Sequence, residues 1–202
     1  MNYELKSDGK FKYAEIGEGR VIIILHGLMG GLSNFDGVIR KFSQSGYKLV
    51  LPELPVYTQS LINTNVKSFA KYLKEFINHK DYKDVILVGN SLGGHIGLYY
   101  TKNNQERVAG IVLAGSSGLY ESAMGSGCTK RSDYNVMKAK AEEVFYDPAI
   151  ATKEIVDDVY ATVNDRSKLV KTLAIAKSAI RHNMAKDLPK INTCLLYTSP
   201  SP

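Results

Sequence analysis

Gly89-Asn90-Ser91-Leu92-Gly93, set directly after the apolar run Val85-Ile86-Leu87-Val88, decides how this chain is read. A buried strand that runs into Gly-x-Ser-x-Gly and then into a helix has the pattern of a nucleophile elbow. The turn is tight, and it needs glycine on both sides because a Cβ there would meet neighbouring backbone. The serine is lifted above the sheet edge with its Oγ exposed.

Working outward, an upstream run, Val21-Ile22-Ile23-Ile24-Leu25, is β-branched without a break, as expected of a strand covered on both faces. It leads into His26-Gly27-Leu28-Met29-Gly30-Gly31, a glycine-rich loop. Ser33 or Asn34 is expected to cap a helix reaching about Ser43. Phe11–Ile16 after Asp8-Gly9 reads as one strand of an N-terminal hairpin, and 47–51 as a further strand. Helices are expected over 65–78 and 92–103, and a last buried strand over 108–114. Strands alternating with helices predict an α/β fold built on a mostly parallel sheet covered on both faces. Its functional loops lie at the carboxyl ends of the strands, after Leu25 and after Val88.

Beyond Ala114 the texture changes. Gly115-Ser116-Ser117-Gly118 and Gly125-Ser126-Gly127 are turn-forming. Helical patterns follow over 133–145, 152–164 and 166–183. The division expected is a core over 1–115, an inserted all-helical cap over 116–188 and the start of the next core strand over 189–193. The segment 194–202 resembles one translated reading frame of a transposon-based sequencing adapter. Its Pro-Ser-Pro ending suits a strand poorly, so it is expected to be a non-native tail outside the fold.

The chain has 202 residues, enough for one domain with a sizeable core. A formal charge of +6 is spread over predicted helices and interleaved with acids, and no basic block alternates with aromatics; a nucleic-acid partner is not expected. No apolar run reaches membrane-spanning length and the first residues are too polar for a signal peptide, so no membrane association and a cytoplasmic location are expected. The two cysteines, Cys128 and Cys194, suggest neither a disulfide framework nor a metal site, and Cys128 lacks a neighbouring base.

A serine hydroxyl needs a base, an acid to orient the base, and donors for the oxyanion formed on attack. The N–H of Leu92 after the serine is one expected donor, and the N–H of Leu28 in the His26-Gly27 loop is the other. A nucleotide-binding Gly-x-Gly-x-x-Gly is absent from both glycine clusters.

These residues resemble the α/β-hydrolase fold superfamily, in its serine-nucleophile branch with an all-helical cap. His26-Gly27, Gly89-Asn90-Ser91-Leu92-Gly93-Gly94 and Leu113-Ala114-Gly115 carry the resemblance, which covers about residues 10–193, roughly the first three-quarters of a usual member. Asn90, Gly115-Ser116-Ser117-Gly118-Leu119 and Phe145-Tyr146-Asp147-Pro148 are similar to the carbon–carbon bond hydrolases, in motifs shared with esterases. The resemblance implies hydrolysis of a small, partly apolar ester or carbon–carbon bond substrate through an acyl-enzyme on Ser91. It implies no cofactor and no metal. Asn90 and Arg181 are candidate substrate contacts, Arg181 for a carboxylate. The family order Ser, Asp or Glu, His puts the acid and the base beyond the strand that follows the cap, so the 202-residue chain is expected to be inactive. None of His26, His79, His95 and His182 sits where a base is needed. The alternative is a non-catalytic ligand-binding or signalling protein on the same fold.

Overall fold

The computed structural model describes residues 4–119 and 131–198. Seven strands form one sheet: β1 (Leu5–Asp8), β2 (Phe11–Ile16), β3 (Arg20–Leu25), β4 (Tyr47–Pro52), β5 (Val85–Asn90), β6 (Val108–Ala114) and β7 (Cys194–Thr198), in the spatial order β1-β2-β4-β3-β5-β6-β7. β1 and β2 pair antiparallel, and β2 runs antiparallel to β4. From β4 to β7 every pair is parallel. The chain crosses from β3 to its neighbour β4 through α1 (Asp36–Phe42), from β4 past β3 to β5 through α2 (Val66–His79), and from β5 to its neighbour β6 through α3 (Leu92–Thr101).

The continuous apolar strands make sense once both faces are covered. Side chains alternate across a strand. On β3, Ile23 and Leu25 join the larger core with Phe69, Leu73 and Phe76 of α2 and Ile96 of α3. Ile24 turns the other way and packs with Leu49, Leu51 and Ile39 of α1. α2 buries Val66, Phe69, Ala70, Leu73, Phe76 and Ile77 at helical spacing, and Asn65 caps it by accepting the Ser68 N–H at 2.9 Å. α3 is buried almost all round, as a helix inside the sheet's central crossover must be.

Two expectations are corrected. The helix expected from Ser33 or Asn34 starts as a 3₁₀ turn over Leu32–Phe35, and α1 begins only at Asp36. Asn34 Oδ1 instead accepts the Gly31 N–H at 3.3 Å, which closes the loop on itself. At the other end, the stretch expected to open the next strand holds a 3₁₀ turn over Leu188–Lys190, and β7 is built from Cys194–Thr198, residues expected to lie outside the fold. The reason lies in the partner. The outer edge of β6 presents unpaired N–H and C=O groups that any extended segment can satisfy, and Gly110 to Ala114 pair in register with Cys194 to Thr198.

Between β6 and β7 lie α4 (Tyr134–Glu142), α5 (Lys153–Asn164) and α6 (Arg166–Arg181), close to the helices expected. Asp133, Thr152 and Asp165 cap them through side-chain oxygens. α4 and α5 share a small core of Ala141, Ala151 and Val156, flanked by Tyr134 and Phe145. α6 differs: its Ile175, with Met184 beyond it, enters the larger core of the sheet domain. Among the described residues no helix is long and apolar enough to cross a membrane.

Candidate active site

Ser91 occupies the turn between β5 and α3 with φ 51° and ψ −116°, a conformation that glycine adopts freely and serine does not. Its surroundings hold it there. The Ser91 N–H donates to the Ala114 carbonyl at 3.1 Å, and the Ser91 carbonyl accepts from His95 N–H at 3.3 Å and Ser117 N–H at 3.2 Å. The flanking glycines are required by space. A Cβ on Gly93 would land on the Leu25 carbonyl oxygen, and one on Gly89 would land on the backbone of Gly94. β3, β5 and α3 therefore meet with no side chain between them, and the tightness of the turn is a consequence of that closeness.

Asn90, a candidate substrate contact, is engaged in the turn itself. Its Nδ2 donates to the Ala114 carbonyl at 3.2 Å, so Asn90 and Ser91 together stitch the elbow to the end of β6. Leu92 is the first residue of α3. N–H groups in a helix's first turn have no intrahelical acceptor, and the helix dipole adds partial positive charge at this end. That is the right electrostatic setting for a developing oxyanion.

The loop after β3 comes to the same place. A Cβ added to Gly27 would sit 3.0 Å from Asn90 Oδ1 and 3.4 Å from Ser91 Cβ, which sets the loop backbone directly against the serine. The Gly27–Leu28 peptide is oriented from behind. His26 Nε2 accepts the Leu54 N–H at 3.0 Å, so the ring proton is on Nδ1, which donates to the Gly27 carbonyl at 2.9 Å. The Gly30 N–H reaches the same carbonyl at 3.3 Å. In a trans peptide the N–H points away from its own carbonyl, so the Leu28 N–H faces away from these two donors. Burial pushes the His26 pKa below its usual value, partly offset by the Gly27 bond and the charge of Glu53; the ring stays neutral and keeps this tautomer. His26, which opens the glycine-rich loop, thus ties that loop's backbone to the Leu54 backbone through its two ring nitrogens. A cavity of about 400 Å³ opens beside this loop, lined in part by His26, Leu28, Glu53, Val56 and Tyr57.

The histidines are committed elsewhere. His79 Nε2 is 2.8 Å from Asp8 Oδ2. His95 is buried in α3 and bonds through Nε2 to the His182 carbonyl at 2.9 Å. His182 Nδ1 turns back to the Ser178 carbonyl at 2.9 Å, and its ring meets Tyr99 edge-on. Among the described residues none of the four bonds the Ser91 hydroxyl. Arg181, the other candidate substrate contact, ends α6 exposed and makes no ion pair among the described residues. Cys128 lies outside the described residues; Cys194 is a free, exposed thiol. Among the described residues no group of three or more His, Cys, Asp or Glu side chains could hold a metal ion.

Tyr57 is the contact that sequence reasoning missed. It lies in the loop after β4, with its hydroxyl 3.4 Å from the Leu28 carbonyl and 3.4 Å from Thr172 Oγ1 on α6. Nothing in the local pattern around Pro55-Val56-Tyr57 distinguishes it from a tyrosine packed in a loop.

Comparison with known proteins agrees with this geometry. A solved structure, MGS-MChE2, an alpha/beta hydrolase enzyme from the metagenome of lagoon sediments at Mar Chica, Morocco, is 55% identical and superposes with a TM-score of 0.76, covering 96% of this chain and 74% of that one. A 2-hydroxy-6-oxononadienedioate/2-hydroxy-6-oxononatrienedioate hydrolase of Escherichia coli O139:H28 is 27% identical over 180 residues, 83% of this chain and 58% of the relative. A 2-hydroxy-6-oxo-6-phenylhexa-2,4-dienoate hydrolase of Comamonas testosteroni is 32% identical over 126 residues, 56% of this chain and 42% of the relative. The chain thus spans less than two thirds of the length of these curated relatives. With the model of the alpha/beta hydrolase fold matching residues 20–193, around a serine elbow and the glycine loop set against it, the chain belongs to the alpha/beta hydrolase fold family.

Proposed function

We propose that the whole gene product is a serine hydrolase that cleaves a small, partly apolar ester or carbon–carbon bond substrate through an acyl-enzyme on Ser91. The observation that carries this reading is the backbone of Ser91, held at φ 51° between two glycines that admit no Cβ. A strained residue of this kind persists only where the surrounding structure over-determines it, and such positions cluster at active sites. In the proposed reaction Ser91 Oγ bonds to the substrate carbonyl carbon as its proton passes to a base. The carbonyl oxygen becomes an oxyanion received by the Leu28 and Leu92 N–H groups. The bond to the leaving alcohol or carbon breaks as that group takes the proton, and water then releases the acid. Neither a cofactor nor a metal enters these steps.

The relatives' names support a substrate with a cleavable carbon–carbon bond next to a carbonyl, and the shared elbow supports simple esters equally. The helices α4–α6 are proposed to act as the cap beneath which substrate enters. The reading requires a base and an acid to orient it, and His26, His79, His95 and His182 are committed elsewhere.

The test is turnover of chromogenic short-chain esters and of a 2-hydroxy-6-oxo-dienoate by the whole gene product and its Ser91→Ala variant, with fluorophosphonate labelling of the serine. Loss of turnover by about 10³-fold or more, and loss of labelling, are expected. Ligand binding with no turnover and no labelling in the unsubstituted protein would favour the non-catalytic alternative and sink the hydrolase reading.

A further inference from the structure

α6 touches the sheet domain in two places, and they differ in kind. Its C-terminal half is anchored in the core: Ser178 Oγ accepts the Val66 N–H at 3.0 Å, and Ile175 is buried with α2 and α3. Among the described residues, the side-chain hydrogen bonds of its N-terminal half to the sheet domain all go to Tyr57. Lys168, Lys171 and Thr172 lie on one face of α6 at i, i+3 and i+4, and all three converge on Tyr57. Lys171 Nζ donates to the Tyr57 carbonyl at 2.7 Å. Lys168 Nζ lies 5.7 Å from the centre of the ring. Thr172 Oγ1 is 3.4 Å from the hydroxyl, and that hydroxyl is also 3.4 Å from the Leu28 carbonyl. Tyr57 has one hydroxyl proton. If it is donated to the Leu28 carbonyl, which can only accept, the Thr172 hydroxyl must be the donor to Tyr57. The network then runs in one direction, Thr172 to Tyr57 to Leu28.

Two neighbouring peptides of the loop are thereby held from opposite origins. The Gly27 carbonyl is held from within the sheet domain, by His26 and the Gly30 N–H. The Leu28 carbonyl is held through Tyr57 from α6. Leu28 sits between these two fixed carbonyls, so the direction of its N–H depends on both.

We propose that Tyr57 is a positioning residue that couples the seating of α6 to the oxyanion loop: when α6 is docked, Thr172 and Tyr57 hold the Leu28 carbonyl and so aim the Leu28 N–H; when α6 lifts, the loop relaxes. The catalytic half of this proposal rests on the reading of Ser91 and Leu28 given above. Its physical consequence is that contacts made by a substrate with α6, far from the reacting carbonyl, would be expressed in the rate of the chemical step rather than in binding alone.

The experiment uses the whole gene product with Tyr57→Phe, Thr172→Val and the double variant. The first readout needs no activity: amide hydrogen exchange of residues 28–31, with α2 as an internal reference. Both single variants are expected to speed loop exchange by at least about threefold while α2 is unchanged, and the double variant is expected to add little beyond Tyr57→Phe, because both substitutions break one network. The second readout is kcat and KM per serine titrated with fluorophosphonate; kcat is expected to fall about tenfold in Tyr57→Phe with KM within twofold, which a merely structural loss of folded protein would not produce. Unchanged loop exchange in both variants, or kcat per titrated site within twofold of the unsubstituted protein, would overturn the coupling. Should Ser91→Ala keep its activity, the hydrolase reading falls instead, and the exchange measurement still decides whether the clasp exists.

Discussion

At the β5–α3 turn, Ser91 and its neighbours are fixed by backbone meeting backbone: glycine against carbonyl, strand end against helix start, two donors on the Ala114 oxygen. Across the molecule, α6 and the turn after it are tied to the sheet domain by side chains: Ser178 on the first N–H of α2, three residues of α6 on Tyr57, Asp187 on Lys102 at 2.8 Å. Backbone steric limits leave one arrangement, whereas the part-buried side-chain bonds on Tyr57 contribute little each and can open; Ser178 on the buried Val66 N–H is the firmer anchor. The difference suits the roles proposed above, with Ser91 held in place as the nucleophile and α4–α6 free to move as a cap.

This contrast can be broken most severely at Gly93. Gly93→Ala would drive a methyl group into the Leu25 carbonyl, and backbone cannot swing aside as a side chain does; a loss of about 3 kcal/mol or more, or failure to fold, is expected in urea unfolding. A loss under 1 kcal/mol would show that the turn has slack. Next is Ser91→Gly, which removes the strain at φ 51° and is expected to raise stability by about 1 kcal/mol while abolishing fluorophosphonate labelling. A drop in stability would mean that the serine is not held against its preference.

On the other side of the comparison, Ser178→Ala leaves the buried Val66 N–H without its acceptor and is expected to cost about 1–2 kcal/mol. The accompanying rise in hydrogen exchange should be confined to α6 and the start of α2; spread to the elbow would erase the distinction between the two regions. A smaller effect concerns acid. Partial burial raises the Glu15 pKa, but Tyr82 Oη–H at 2.6 Å, Lys6 and the charges of Lys80 and Lys48 outweigh it and hold the carboxyl at about 2, below its ordinary 4.5. A depressed carboxyl stabilises the fold above its unfolded pKa, and that contribution is lost as pH falls from about 4.5 towards 2. Urea midpoints of the unsubstituted protein should therefore fall over this window more steeply than those of Glu15→Gln; parallel curves would refute the role. The ion pair Lys153–Asp157 on α5 is exposed, so its removal is expected to leave the urea midpoint unchanged.

How much of this could be seen in advance differs along the chain. The strand runs 21–25 and 85–88 show themselves because parallel strands buried on both faces need uninterrupted apolar sequence, and Ile23 and Ile24 do go to opposite cores. Caps were less legible: the one expected at Ser33 or Asn34 gives way to a 3₁₀ turn, and Asn65 and Asp165 show themselves as caps only through their bonds to the Ser68 and Lys168 N–H groups. Asn90 was harder: an asparagine beside a nucleophile can face a ligand or hold the turn, and only the position of Ala114, distant in sequence, shows its amide engaged in the turn. β7 was misplaced because the segment was judged on its resemblance to an adapter frame and its Pro-Ser-Pro ending, while strand pairing is chosen by the open edge it meets.

The sequence by itself determined the elbow, since a serine between glycines at a strand–helix junction leaves steric exclusion few alternatives, and with it the parallel sheet and the family. Only the tertiary structure decided which donors hold the Gly27 and Leu28 carbonyls, where the histidines are spent, and that α6 reaches the glycine-rich loop after β3 through Tyr57. Those depend on groups brought together from strands and helices far apart in the chain. A hydrogen bond is set by the position and direction of both partners, and residue type alone carries neither.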